Sequence, residues 1–196
     1  ATATSTSNAM SPTNVQPAPP STHSRYHLVS EGKFGAQDAV RGLEGRQVRL
    51  RGALIYRDDQ TMLELEADSI EPLGDAGATV TASGRGRTLG THSFRGEIVD
   101  SKCFLGVMNP GDLKTHRACA TRCISGGVPP VLAVRHASGE TTYLLLASAT
   151  GEPVNKAVLD MVAEPIAITG EVVRHDDQLV LRADPATYRR TILESE

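Results

Sequence analysis

The chain has 196 residues, 39% hydrophobic but only 4% aromatic and without tryptophan, so any core must rest on Val, Leu, Ile and Ala. Twenty basic against 23 acidic side chains leave a net charge of -3. That balance argues against a general nucleic-acid binder, which carries a basic surface. No stretch reaches the roughly 18 apolar residues of a membrane span, so no transmembrane segment is expected.

Residues 1–24 are mostly Ala, Thr, Ser, Pro and Asn without apolar periodicity. Such a stretch cannot bury enough surface to order itself and is expected to be a tail or a tether. From Tyr26 the pattern changes. A tyrosine-led apolar stretch, Tyr26-His27-Leu28-Val29, precedes a short helical candidate over Ala36–Leu43. Gln47 to Gln60 then alternates like a strand, with Val48 and Leu50 on one face, before Asp58-Asp59 turns the chain into Met62–Leu65.

This pattern recurs. Gln47-Val48-Arg49-Leu50-Arg51-Gly52 lies over Pro165-Ile166-Ala167-Ile168-Thr169-Gly170, and Asp58-Asp59-Gln60 lies over Asp176-Asp177-Gln178. The offset is constant, since 170 minus 52 and 176 minus 58 both equal 118. Tyr143-Leu144-Leu145-Leu146 precedes the second copy, and Asn155 is placed to cap a helix over Lys156–Val162. The repeated glycine suggests a bulge or sharp coil in a long strand. The paired aspartates read as turn residues rather than acid/base groups.

The second copy has two further strands in front of it, Gly96–Val99 and Val131–Val134. The order from 94 to 184 is then β, β, β, α, β, β, that of an OB-fold barrel. The expected architecture is mainly β with short helices: tandem OB-fold-like small barrels, the first partial. The divisions are a tail over 1–24, a partial OB-like unit over 25–72, a linker over 73–93 and an OB-like domain over 94–190. Thr79–Ala82 is a candidate edge strand within the linker.

All three cysteines lie between positions 103 and 123, in an insertion over 100–127. Asp112 is a good N-cap for a helix over Leu113–Ile124, and Gly126-Gly127 a good stop. On that helix His116, Cys119 and Cys123 fall within an arc of roughly 60°. Cys103, on the preceding loop, completes a set of three thiols and one imidazole. Such donors suit zinc first, with copper or an iron–sulfur cluster as alternatives. Met108, and His175 in the last hairpin, are candidates for a supporting role around the ion. A disulfide from Cys103 to a helical cysteine, or three inert core thiols, are the competing readings.

The segments Gly96-Glu97-Ile98-Val99-Asp100-Ser101-Lys102-Cys103-Phe104-Leu105-Gly106 and His116-Arg117-Ala118-Cys119-Ala120-Thr121-Arg122-Cys123-Ile124-Ser125-Gly126-Gly127-Val128-Pro129-Pro130 carry a resemblance. The chain resembles a group of poorly characterised bacterial proteins, often exported or membrane-anchored, that share a C-[FY]-L-G … H-x-x-C-A-x-x-C-x-x-x-G-x-P pattern. The resemblance covers about 94–146. It implies that Cys103, His116, Cys119 and Cys123 belong together, and it implies a periplasmic or membrane-tethered setting. The functional expectation is a non-enzymatic metal-binding protein in a structural, metal-handling or electron-transfer accessory role, with a larger membrane or periplasmic complex as partner. The alternatives are a thiol-redox or electron-transfer subunit of an oxidoreductase and, disfavoured, an OB-type oligonucleotide binder.

Overall fold

The computed structural model describes residues 25–75 and 86–191. The expected tail over 1–24 and the candidate strand Thr79–Ala82 lie outside the described residues.

Strands dominate. In chain order they are β1 (His27–Ser30), β2 (Arg46–Arg49), β3 (Gly52–Arg57), β4 (Gln60–Leu65), β5 (Glu71–Asp75), β6 (Arg87–Asp100), β7 (Pro130–Arg135), β8 (Thr141–Ala147), β9 (Pro165–His175), β10 (Gln178–Arg182) and β11 (Arg189–Arg190). Among the described residues one α-helix, α1 (Leu113–Ser125), follows a single wide turn at Cys103–Val107. A 3-10 segment, Asn155–Met161, joins β8 to β9.

Strands β6, β7, β8, β10 and β9 are hydrogen-bonded in that order, and β9 returns to β6, so the five close into a barrel. The β8–β10 pairing is parallel and the others are antiparallel. Inward positions repeat every second residue, as a pleated strand requires. Ile98, Leu132, Leu144, Leu146, Ile166, Ile168 and Leu181 meet in the core, together with Val158 and Val162. Each such side chain contributes roughly 1.5–3 kcal/mol on burial, so the aliphatic core suffices without tryptophan.

The repeat seen in the sequence is also a repeat of pairing. Arg57 faces Gln60 across the first hairpin and His175 faces Gln178 across the second, and 175 minus 57 and 178 minus 60 are both 118. The parallel pair Leu28–Leu63 has its counterpart in Leu146–Leu181, and Arg49–Glu71 in Ala167–Arg189, at the same offset. Asp58 and Asp176 occupy equivalent turn positions with φ of 53° and 56°.

The first copy nonetheless closes no barrel among the described residues. It forms a three-stranded sheet, β1-β4-β3, and a separate β2–β5 pair. The chain that runs unbroken as β9 is divided here at Leu50 and Arg51. The helix expected over Ala36–Leu43 is a run of turns, with Gly42 at φ 75° interrupting it. Strand β6 begins at Arg87, so Arg87–Ser93 pair with β9 instead of serving as connector.

The expected bulge at the repeated glycine is corrected as well. Gly52 pairs with Leu65 at the end of the β3–β4 ladder, and Gly170 pairs with His92 in the β6–β9 ladder, whose one register shift falls between Thr88 and Gly90. A Cβ at Gly52 would lie 2.3 Å from the Glu64 carbonyl oxygen, and one at Gly170 would lie 2.4 Å from that of Arg182. Only glycine lets the neighbouring backbone cross so closely.

Candidate metal centre

The site is built where β6 ends. Ile98, Val99 and Asp100 are buried, and the chain then makes the turn Cys103–Val107 with Cys103, Phe104 and Leu105 inside. Phe104 packs against Tyr143 with ring centroids 5.8 Å apart, which fixes the turn against the wall of the barrel. Helix α1 then brings His116 and Cys123 inward, while Cys119 is half-buried.

The helix has the expected extent, but its caps differ from expectation. Asp112 occupies the N-cap position without a capping bond and pairs with Arg135. The Leu113 N–H donates instead to the buried Glu97 carboxylate at 2.6 Å. Asn155 does not cap the 3-10 segment either. Its side-chain amide donates to the Ile124 and Val128 carbonyls, at 2.8 and 2.9 Å, and ties down the C-terminal end of α1.

Cys103, Cys119 and Cys123 place their sulfurs within 4.8 Å of one another, and all three are free thiols. The Cys103 and Cys123 sulfurs are 4.0 Å apart. A disulfide would need about 2.05 Å. Tetrahedral ligation with metal–sulfur bonds of about 2.3 Å separates sulfurs by roughly 3.8 Å, so the spacing is that of two ligands on one ion.

His116 belongs to a second group that shares Cys103: the ligand atoms of Asp100, Cys103 and His116 also lie within 4.8 Å. Asp100, fully buried, accepts from the Cys103 N–H at 2.8 Å and pairs with His116 Nε2 at 3.2 Å. A carboxylate holding the imidazole of a metal-site histidine is a recurrent arrangement that orients the ring. The four expected residues are therefore brought together as two overlapping groups, joined through Cys103 and linked by Asp100.

Two lysines complete the surroundings. Lys33, from the loop after β1, places its ammonium 2.8 Å from the Cys119 sulfur and 3.9 Å from that of Cys123. The hydrogen bond to Cys119 holds the Lys33 ammonium above its usual range. Lys102, buried, reaches the opposite way and donates to the Ser30 and Gly32 carbonyls, with Glu64 at 3.1 Å. The loop is docked further by Gly35 N–H on the Gly126 carbonyl and by the Gln37 amide on that of Gly127. A Cβ at Gly126 would fall 2.1 Å from the Lys33 carbonyl oxygen. The glycine pair that ends α1 thus also admits this loop.

The thiols are not equivalent. The hydrogen bond to Cys123, burial and the nearby Asp100 push the Cys103 thiol far up. The same hydrogen bond, assisted by Lys33, pulls Cys123 down against its burial.

Met108 closes the wide turn, is 44% exposed and donates its N–H to the Cys103 carbonyl. His175 ends β9 in the last hairpin and belongs to neither ligand group; burial holds it below the usual imidazole range. Sequence reasoning missed Asp100 and Lys33. Asp100 had a signal in its position three residues before Cys103, at the end of an apolar strand; Lys33 had none.

Fold and site define a small β-barrel protein with a cluster of three cysteines and a histidine that can hold a metal ion. Comparison of the chain with protein-family models, curated proteins and solved structures finds no match. Among the described residues, no helix is long and apolar enough to cross a membrane.

Proposed function

We propose that the chain is an extracytoplasmic metal-binding protein of tandem OB-like organisation, the first unit partial, whose insertion is pinned by an ion on Cys103, Cys119, Cys123 and His116. The observation that carries this reading is the triangle of free sulfurs at ligand spacing, with the Asp100–His116 pair beside it. Zinc fits the donor set best, because three thiolates and one imidazole form a stable tetrahedral structural zinc site. With copper as the ion, Met108 is the nearest sulfur in sequence to Cys103 that could add a thioether. The extracytoplasmic placement rests on the resemblance around 94–146.

The role is structural first. The insertion contributes Cys103, Phe104, Leu105 and Cys123 to a second core that includes Val29 and Met62 of the first unit. An ion there ties the barrel, the insertion and the first unit at one point, so metal binding contributes directly to folding. A thiol-redox or electron-transfer subunit is the second reading, favoured by the half-buried Cys119 with an ammonium 2.8 Å away. A cation beside a reachable thiol is the usual setting of a reactive cysteine.

Elemental analysis with thiol counting, on protein purified without chelators, separates the two. The metal reading expects one ion per chain and three thiols that react only after chelation. A metal-free protein with one rapidly alkylated cysteine would replace it with the redox reading.

A further inference from the structure

The cluster has one side towards water. Cys103 and Cys123 are 4% and 1% exposed, and His116 is 5% exposed. Cys119 alone of the four is half-buried, and the exposed Lys33 places its ammonium 2.8 Å from that sulfur. Three donors are thus sealed inside, while the fourth is presented to solvent beside a cation.

A thiolate bound to an ion remains a nucleophile, and a reachable one is the first to be oxidised. A hydroperoxide is the oxidant that fits this setting. It is little larger than water, and its O–O bond breaks to leave an oxyanion that a fixed cation stabilises. A bulkier alkylating reagent is held off the same half-buried, ion-bound sulfur. The oxidised sulfur also has a partner, since all three sulfurs lie within 4.8 Å of one another. Cys123 stands one turn from Cys119 on the same helix, where parallel Cα–Cβ directions do not suit a disulfide. Cys103 approaches from the separate turn Cys103–Val107 and has no such constraint.

We infer that the site is a hydroperoxide-sensitive switch, in which oxidation of Cys119 and closure of a Cys103–Cys119 disulfide release the ion. The inference rests on the metal reading of the site. In the first step the Cys119 thiolate attacks one peroxide oxygen; the O–O bond breaks, the sulfur becomes a sulfenic acid and hydroxide leaves beside Lys33. In the second the Cys103 thiolate attacks that sulfur, the S–S bond forms and a second hydroxide leaves. The two thiolates lose two electrons and the peroxide gains them. Cys123 and His116 are left as ligands, half of what a four-coordinate zinc ion holds. The ion departs, and a thiol reductant that restores both thiolates lets it return. Lys33 belongs to the loop that docks on the end of α1 through Gly35 and Gln37, so the change at the sulfur reaches the first unit directly.

The full-length chain is loaded with zinc, its metal content is counted, and hydrogen peroxide is added in the presence of a chromogenic zinc indicator. Expected are release of about one ion per peroxide consumed, a Cys103–Cys119 disulfide with Cys123 free by peptide mass mapping, and rebinding after reduction. Lys33→Met, a change at an exposed side chain, should slow the peroxide-dependent release at least about tenfold. A weaker hold on zinc would by itself speed release, so a lysine that only tunes affinity predicts the opposite sign. An ion that stays bound through about ten equivalents of peroxide overturns the inference and leaves the metal site standing. So does a disulfide that excludes Cys119, release without any disulfide, or equal or faster release from Lys33→Met. A chain that takes up no zinc at the outset overturns the metal reading and this inference with it.

Discussion

The Lys33 ammonium lies 2.8 Å from the Cys119 sulfur, although 86 residues separate them in the chain. The contact makes the first unit part of the site in the second. A divalent ion with three thiolates and a neutral imidazole carries one net negative charge, and Lys33 is placed to offset it. Partners behind metal ligands typically contribute 10–100-fold in affinity. Lys33→Met is therefore expected to weaken metal binding by about tenfold or more, and Lys33→Arg to recover most of the loss. Competition with a chromogenic chelator measures this; equal affinities in all three proteins would show that Lys33 only rests against the site.

Asp100 makes two bonds from a fully buried position, to the Cys103 N–H and to His116. Asp100→Ala leaves both groups without an acceptor and is expected to cost about 3 kcal/mol, while Asp100→Asn, which keeps an acceptor for the Cys103 N–H, costs about 1 kcal/mol. Urea unfolding of the metal-loaded proteins gives the ranking. An alanine variant as stable as the parent would mean that the pair does not brace the turn.

Gly170 is a test of the close strand crossing in the barrel. Its Cβ would meet the Arg182 backbone carbonyl, which cannot move without shifting β10. Gly170→Ala should lower stability by about 1–3 kcal/mol, the usual cost of forcing atoms into a packed interior. The equivalent Gly52→Ala change lies in the smaller sheet and should chiefly loosen that unit, seen as faster amide exchange over β3 and β4. If Gly170→Ala leaves the unfolding midpoint unchanged, the barrel does not require the crossing.

His27 predicts a pH dependence. Burial pushes its imidazole below the ordinary value of 6.5, against a smaller opposing effect of Asp177. The folded state therefore favours the neutral ring, and protons bind more readily after unfolding. Its stabilising contribution is complete above about pH 6.5 and is lost as pH falls through that value towards the lower folded one. Between about pH 7.5 and 5 the urea midpoint should fall more steeply for the parent than for His27→Gln. Parallel slopes would show that His27 does not set the pH dependence.

Much of this was legible before the structure. Alternation along Gln47–Ala53 and Pro165–Glu171, with Asp-Asp-Gln after each, marked the hairpins and their common register. Spacing on α1 marked the ligand face. The sequence could not reveal which face of the first unit is buried, because Leu28, Leu54 and Leu63 alternate with Val29, Ile55 and Met62, and both sets are apolar. That choice is made by the insertion, which packs on one side only. The caps misled for a related reason: Asp112 has a stronger partner in Arg135, and the Asn155 amide finds the Ile124 and Val128 carbonyls around the end of α1. Lys33 was invisible because its partners lie in a distant segment.

X-ray absorption at the edge of the bound metal reads the ligand set itself. Three sulfur scatterers near about 2.3 Å and one nitrogen near about 2.0 Å are expected, with sulfur lost in Cys119→Ser. A shell of oxygen and nitrogen alone, or a stoichiometric ion that survives replacement of all three cysteines, would contradict a metal centre built on Cys103, Cys119, Cys123 and His116.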